Sequence, residues 1–161
     1  MRRRTFIAGA ALAGSAPLLE RATNAAEDSI VERFAATLSA HDIDAFASLF
    51  AEGYVNHQVS AASPPRAAGV KPKAATVTFF AARLKALPDL KVSIQTSLAE
   101  ADKVAASFAY EGTHLGPYYG FEPTRKRIFF TSCDIFRVSG GQIVQHWGMG
   151  DIAGIVAQLK G

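Results

Sequence analysis

The chain has 161 residues, 49% of them hydrophobic and 19% charged, with a formal net charge of +3. That length holds one domain with a real core and excludes two comfortable ones, and the balance fits a soluble globular protein. The single cysteine, Cys133, excludes an internal disulfide; it sits in an apolar strand pattern and is expected to pack as a small core residue.

The N-terminus reads MRRRTFIAGAALAGSAPLLERATNAAEDS. Arginines precede an apolar run from Phe6 to Leu19, and small residues then lead to a cleavage point after Ala25 or Ala26. Charged, then apolar, then small is the layout of an export signal. The run is too short and too rich in Ala and Gly to favour a membrane span, so no stable membrane insertion is expected once the signal is removed. Arg3-Arg4-Thr5-Phe6-Ile7 resembles the twin-arginine signature, which implies export of a folded protein to the periplasm or beyond. The expected division is therefore a signal at 1–26 and a domain at 27–161. Without the signal, Lys plus Arg falls from 17 to 13 and Asp plus Glu from 14 to 13. The domain is then near neutral, and no nucleic-acid partner is expected, because phosphate binding needs a surplus of positive charge.

From Glu27 to Ala40, Ile30, Val31, Phe34 and Leu38 recur at helical spacing. Asp42 or Asp44 can cap a second helix that buries Phe46, Leu49 and Phe50 and stops at Gly53. A short strand, YVNHQV, comes next, then a loop by composition, Ser60–Gly69, which could serve as a lid. A third helix starts near Pro72 with Val77, Phe80, Leu84 and Leu87 on one stripe, and ends before Pro88. The period then changes to two. KVSIQTSL sets Val92, Ile94, Thr96 and Leu98 against polar neighbours, and VAASFAYEGTH does the same with Val104, Ala106, Phe108 and Tyr110. LGPYYGFEPT is a loop, RIFFTSCDIFRV a long strand apolar on both faces, and QIVQHWGM the last strand, beyond SGG. A final helix from Asp151 buries Ile152, Ile155, Val156 and Leu159. Helices, then an antiparallel meander, then a closing helix make an α+β domain, with helices packed on one face of a curved sheet.

The stretches SAHDIDAFASLFAEGYVNH, FFAARLKALPDL, EGTHLGPYYGFEPTRKRIFF and DIFRVSGGQIVQHW resemble the SnoaL-like polyketide cyclases, often called ester cyclases. These belong to the nuclear-transport-factor-2-like superfamily of cone-shaped α+β folds. The resemblance implies a curved antiparallel sheet whose inner face lines a pocket. It places Asp134 where ketosteroid isomerases carry a buried acid, His57 where they carry a general base, and Asn56 at a pocket asparagine of the cyclases. It also shows departures. Phe34 stands where the isomerases have an oxyanion tyrosine, and Gly148 where the cyclases have an acid/base aspartate.

The residues themselves give a related reading. With a three-residue turn, Ser139-Gly140-Gly141, Val138 pairs with Gln142 and Asp134 lies opposite His146, on one face with Ile128, Phe130, Phe136 and Val144. A two- or four-residue turn brings Trp147 opposite Asp134 instead. An acid on an apolar face beside an imidazole suits proton transfer near neutral pH; a satisfied structural hydrogen bond is the alternative. The catalytic candidates are Asp134, His57 and His146. Tyr54, Asn56, His114, Tyr118, Phe130, Phe136 and Trp147 are candidates for holding substrate, with Trp147 also suited to the core or a dimer face. His57, His114, His146 and Asp134 lack the tight local spacing of a metal site, so neither metal nor cofactor is expected. The expected protein is an exported cyclase- or isomerase-type acid–base enzyme for a small apolar carbonyl compound. The alternative is a ligand-binding or interaction module on the same fold. A homodimer through the sheet's outer face is expected in either case.

Overall fold

The computed structural model describes residues 30–58 and 68–161. The expected export signal and most of the Ser60–Gly69 loop lie outside the described residues.

Helix α1, described over residues 30–39, turns Ile30, Val31, Phe34 and Leu38 into the core, as its spacing predicts. Helix α2 (Ile43–Ser48) begins where Asp42 accepts a hydrogen bond from the backbone N–H of Ala45 at 2.9 Å. It does not continue to Gly53 as expected. The chain passes into strand β1 (Phe50–Asn56), where Phe50 and Tyr54 are buried and Glu52 and Gly53 are exposed. Pairing with the last strand overrides the short helical pattern: Leu49 C=O accepts from Ile143 N–H at 2.7 Å. Helix α3 (Pro72–Ala86) has its proline in the first turn, where the missing N–H costs nothing. Strands β2 (Lys91–Glu100), β3 (Lys103–Thr113), β4 (Arg127–Ser139) and β5 (Gln142–Gly150) follow, and α4 (Ile152–Lys160) is capped by Asp151.

The order β1-β5-β4-β3-β2 makes one five-stranded sheet. β2 to β5 form the expected antiparallel meander, but β1 joins β5 in parallel, so the sheet is mixed rather than antiparallel. Register shifts in the β1–β5, β2–β3 and β4–β5 pairings bend it. The helices fill its inner face. Phe34 lies at the centre, its ring centroid 5.0–5.6 Å from those of Phe46, Phe80, Phe108 and Phe136.

The bulges also correct the alternation read from the sequence. In β2, Val92 and Ile94 pair with Tyr110 and Phe108 on the inner face. An extra residue at Gln95 then sends Thr96 and Leu98 outward, and Leu98 is 70% exposed. Cys133 is exposed rather than packed, because it alternates with Asp134 onto the outer face of β4. The β4–β5 turn has two residues, not three: Ser139 pairs with Gln142, and Gly140 and Gly141 both have positive φ, at 58° and 74°. Left alone, that turn would point Trp147 inward. Val138 pairs with Ile143 and Arg137 with Gln145, which leaves Val144 as the unpaired bulge residue. Ile143, not Val144, therefore faces the core, and His146 returns to the inner face.

Candidate active site

Asp134 lies opposite Gly148, and His146 opposite Phe136. The two candidate residues are thus diagonal neighbours rather than the directly facing pair expected. They still meet. His146 Nε2 is 2.7 Å from Asp134 Oδ1, and both side chains are buried. The diagonal is open because residue 148 is glycine. A Cβ there would collide with Asp134 Oδ1 and stand 2.5 Å from His146 Nε2.

Three hydroxyls complete the arrangement. Tyr54 Oη lies 3.1 Å from His146 Nδ1, Ser132 Oγ 2.5 Å from Asp134 Oδ2, and Ser132 Oγ 3.3 Å from Tyr110 Oη. One assignment uses each hydrogen once. The Asp134 carboxylate accepts from His146 Nε2–H and Ser132 Oγ–H. His146 Nδ1 accepts from Tyr54, and Ser132 accepts from Tyr110. Burial, with the Asp134 charge adding to it, pushes both the Tyr54 and Tyr110 phenols well above their ordinary range. Both therefore stay protonated as donors. The chain runs from β1 through β5 and β4 to β3, and each member sits where strand alternation turns it inward.

The other expected site residues divide between the two faces. Tyr54, Phe130 and Phe136 are buried on the inner side, where Phe136 packs against the His146 ring at 5.0 Å. Asn56 is half-buried and reaches Thr76 Oγ1 at 3.4 Å. His57 is not with Asp134. It is exposed and lies flat on Trp147, with centroids 4.5 Å apart and planes at 6°. It follows Asn56 at the end of β1, and Trp147 occupies the outer face between His146 and Gly148. Strand alternation thus removes His57 and Trp147 together from the inner face. Trp147 borders a groove of about 490 Å³ across the outer face, along with Leu98, Cys133, Ile135 and Met149. His114 is fully buried, and its Nδ1 accepts from the backbone N–H of Thr124 at 3.1 Å. Tyr118 is buried and accepts from Arg83 Nε at 2.9 Å. Among the described residues, no three His, Cys, Asp or Glu side chains converge as metal ligands.

Sequence reasoning missed Ser132 and Arg83. Ser132 was legible by period two, since it shares a face with Phe130 and Asp134. Arg83 lies three residues beyond Phe80 on the buried stripe of α3, but its charge hid it among the apolar positions.

The chain belongs to the SnoaL-like polyketide cyclase family, whose description matches residues 28–159. Solved structures share the fold at low identity. AclR of Streptomyces galilaeus is 23% identical with a TM-score of 0.72, over 84% of this chain and 82% of that one. IdmH of Streptomyces antibioticus is 23% identical with a TM-score of 0.72, over 84% and 99%. A protein of ketosteroid isomerase-like fold from Catenulispora acidiphila is 19% identical with a TM-score of 0.61, over 81% and 92%. Among curated proteins nothing matches.

Proposed function

We propose that the protein is an exported acid–base enzyme that moves a proton at a carbon next to a carbonyl in a small, largely apolar compound, in an isomerisation, a cyclisation or a related elimination. The observation that carries this is the buried chain Tyr54–His146–Asp134. Asp134 holds the Nε2–H, which fixes the tautomer and leaves the basic lone pair on Nδ1. A substrate proton taken up at Tyr54 Oη is matched by loss of the tyrosine's own proton to Nδ1. The imidazolium so formed rests against the Asp134 carboxylate. Tyr110, donating through Ser132, supports that charge. His57, exposed and stacked on Trp147, has no part in this chain. Membership of the family supports a cyclase- or isomerase-like role, and the N-terminal arginine pair with its apolar run supports export.

The test is exchange of the α-protons of 2-tetralone in D2O, followed by NMR. The wild-type protein is expected to accelerate exchange over buffer. Asp134→Asn, which keeps the shape but removes the negative charge, is expected to reduce that acceleration by roughly 10²–10⁴-fold. Equal rates in both proteins would end the reading.

A second reading is a ligand-holding module without turnover. Gly148 favours it, since it stands where the family resemblance puts an acid/base aspartate. Mass spectrometry under native conditions separates the two: a holder releases its ligand unchanged, whereas an enzyme converts it.

A further inference from the structure

Among the described residues Arg83 is a buried cation without a buried anion beside it. It is 7% exposed, on the inner side of α3. Its Nε donates to Tyr118 Oη, and its guanidinium carbon lies 4.8–5.1 Å from the ring centroids of Phe79, Phe80, Tyr110 and Phe130. Aromatic faces compensate a desolvated cation in part, but they do not accept N–H bonds in the way a carboxylate does. Among the described residues no carboxylate reaches Arg83. The one buried acid among the described residues, Asp134, is already bound by His146 and Ser132.

Two further buried groups around Tyr118 lack partners. Tyr119 Oη has none, and neither has His114 Nε2. Because His114 Nδ1 accepts from Thr124 N–H, its hydrogen is on Nε2. The ring of Tyr118 lies 4.6 Å from that of Tyr119 and 6.4 Å from that of His114. Tyr119 is also held at φ 48°, a left-handed conformation that a bulky side chain seldom adopts. The tight turn Tyr118–Phe121 thus places a phenol beside the guanidinium at a conformational cost. A phenol and an imidazole N–H without partners thus lie near a cation whose one hydrogen bond is to Tyr118 Oη. Uncompensated buried donors are rare in folded proteins, so an acceptor supplied from outside accounts for them.

We propose that Arg83, with Tyr119 beside it, anchors a carboxylate carried by the substrate, so that the compound handled here is a small organic acid with an apolar body. The guanidinium fork matches a carboxylate in two parallel bonds. Rings on four sides suit an apolar body and disfavour a strongly hydrated anion such as phosphate. Tyr110 joins the two centres, since its ring faces Arg83 and its hydroxyl meets Ser132, which binds Asp134. The assignment therefore rests on the reading of this interior as the substrate site.

The test is calorimetric titration of the full chain with benzoate, with benzamide as the uncharged analogue of the same shape, and with inorganic phosphate. Benzoate is expected to bind about tenfold or more tightly than either of the others, the range of one charged hydrogen bond. Arg83→Met is expected to lose that preference. Arg83→Lys, which keeps the charge but not the fork, is expected to weaken benzoate several-fold while staying folded, and it decides the matter if the methionine variant does not fold. Absence of benzoate binding, equal binding of benzamide or phosphate, or full benzoate affinity in both Arg83 variants would overturn the anchor. Benzoate binding that depends on Arg83, in a protein that fails to exchange 2-tetralone, would leave the anchor standing and sink the proton-transfer reading alone.

Discussion

Gly148 lies directly across the sheet from Asp134, and its missing side chain is what lets His146 reach that carboxylate along the diagonal. Gly148→Ala is the sharpest test of the pair. The added carbon would press on both Asp134 Oδ1 and His146 Nε2. The hydrogen bond must lengthen or break, with a stability loss of roughly 1–3 kcal/mol from overpacking. Gly150→Ala on the same strand is the control, since a Cβ there meets nothing nearer than Ser132 Cβ at 4.0 Å. Imidazole NMR should show His146 perturbed in the first variant and unchanged in the second. An undisturbed His146 in both would mean that the diagonal does not depend on glycine.

The tyrosines give a prediction in alkali. The chain has four, and burial raises the phenols of Tyr54, Tyr110 and Tyr119 above their ordinary range. A raised pKa in the folded state stabilises fully below the unfolded value, near 10, and that stabilisation is lost as pH climbs through the folded values. Absorbance at 295 nm should therefore show most of the phenol signal missing from the first titration step of the native protein. It should return in full in denaturant. Stability to urea should fall on going above about pH 10. Four phenols titrating together near 10 in the native protein would contradict the buried network.

Much of this arrangement was legible in the sequence, and what was not has one cause. Period-two alternation placed Tyr110, Phe130, Asp134 and Phe136 on the inner face correctly, because β3 and β4 pair without interruption from Lys103 to Thr113. Where a bulge enters, parity reverses. Gln95 turned Leu98 outward, and Val144 restored His146 to a face that the two-glycine turn alone would have denied it. The expectation for His146 thus reached the right face by the wrong register. His57 failed differently. It follows the inward Asn56, and neighbouring residues on an extended chain point to opposite sides, so a resemblance that aligned it with a general base could not place it inside. Arg83 was hidden because a charge on an apolar stripe reads as surface until the rings around it are seen.

Phe34 stands where the isomerase pattern would put an oxyanion tyrosine. Its surroundings argue against repair by a single hydroxyl, because aromatic rings enclose it on four sides. Phe34→Tyr would bury an unpaired O–H and should cost about 1–3 kcal/mol. Phe34→Ala, which opens a cavity at 1% exposure, should cost about 3–5 kcal/mol. Chemical denaturation of both variants checks the order. A tyrosine variant as stable as the wild type would show that a partner for the hydroxyl exists on this face.

Asp89, between α3 and β2, clamps the far end of β3. Its Oδ1 accepts from the backbone N–H of Thr113 at 2.6 Å and its Oδ2 from the Thr113 hydroxyl at 2.7 Å. The backbone bond first, and the hydroxyl second, hold this carboxyl below its ordinary range. A depressed pKa stabilises the fold above the unfolded value, near 3.9, and the contribution disappears as pH falls through the folded value. The side chain is well exposed, so solvent screens the effect and only a modest share survives. Asp89→Asn retains one acceptor for the Thr113 N–H and should cost roughly 1 kcal/mol at pH 7. Urea unfolding of both proteins should show that gap at neutral pH and show it narrowing steadily on going below about pH 4. A gap of constant size from neutral to acid pH would mean that the clamp works by shape and owes nothing to the charge.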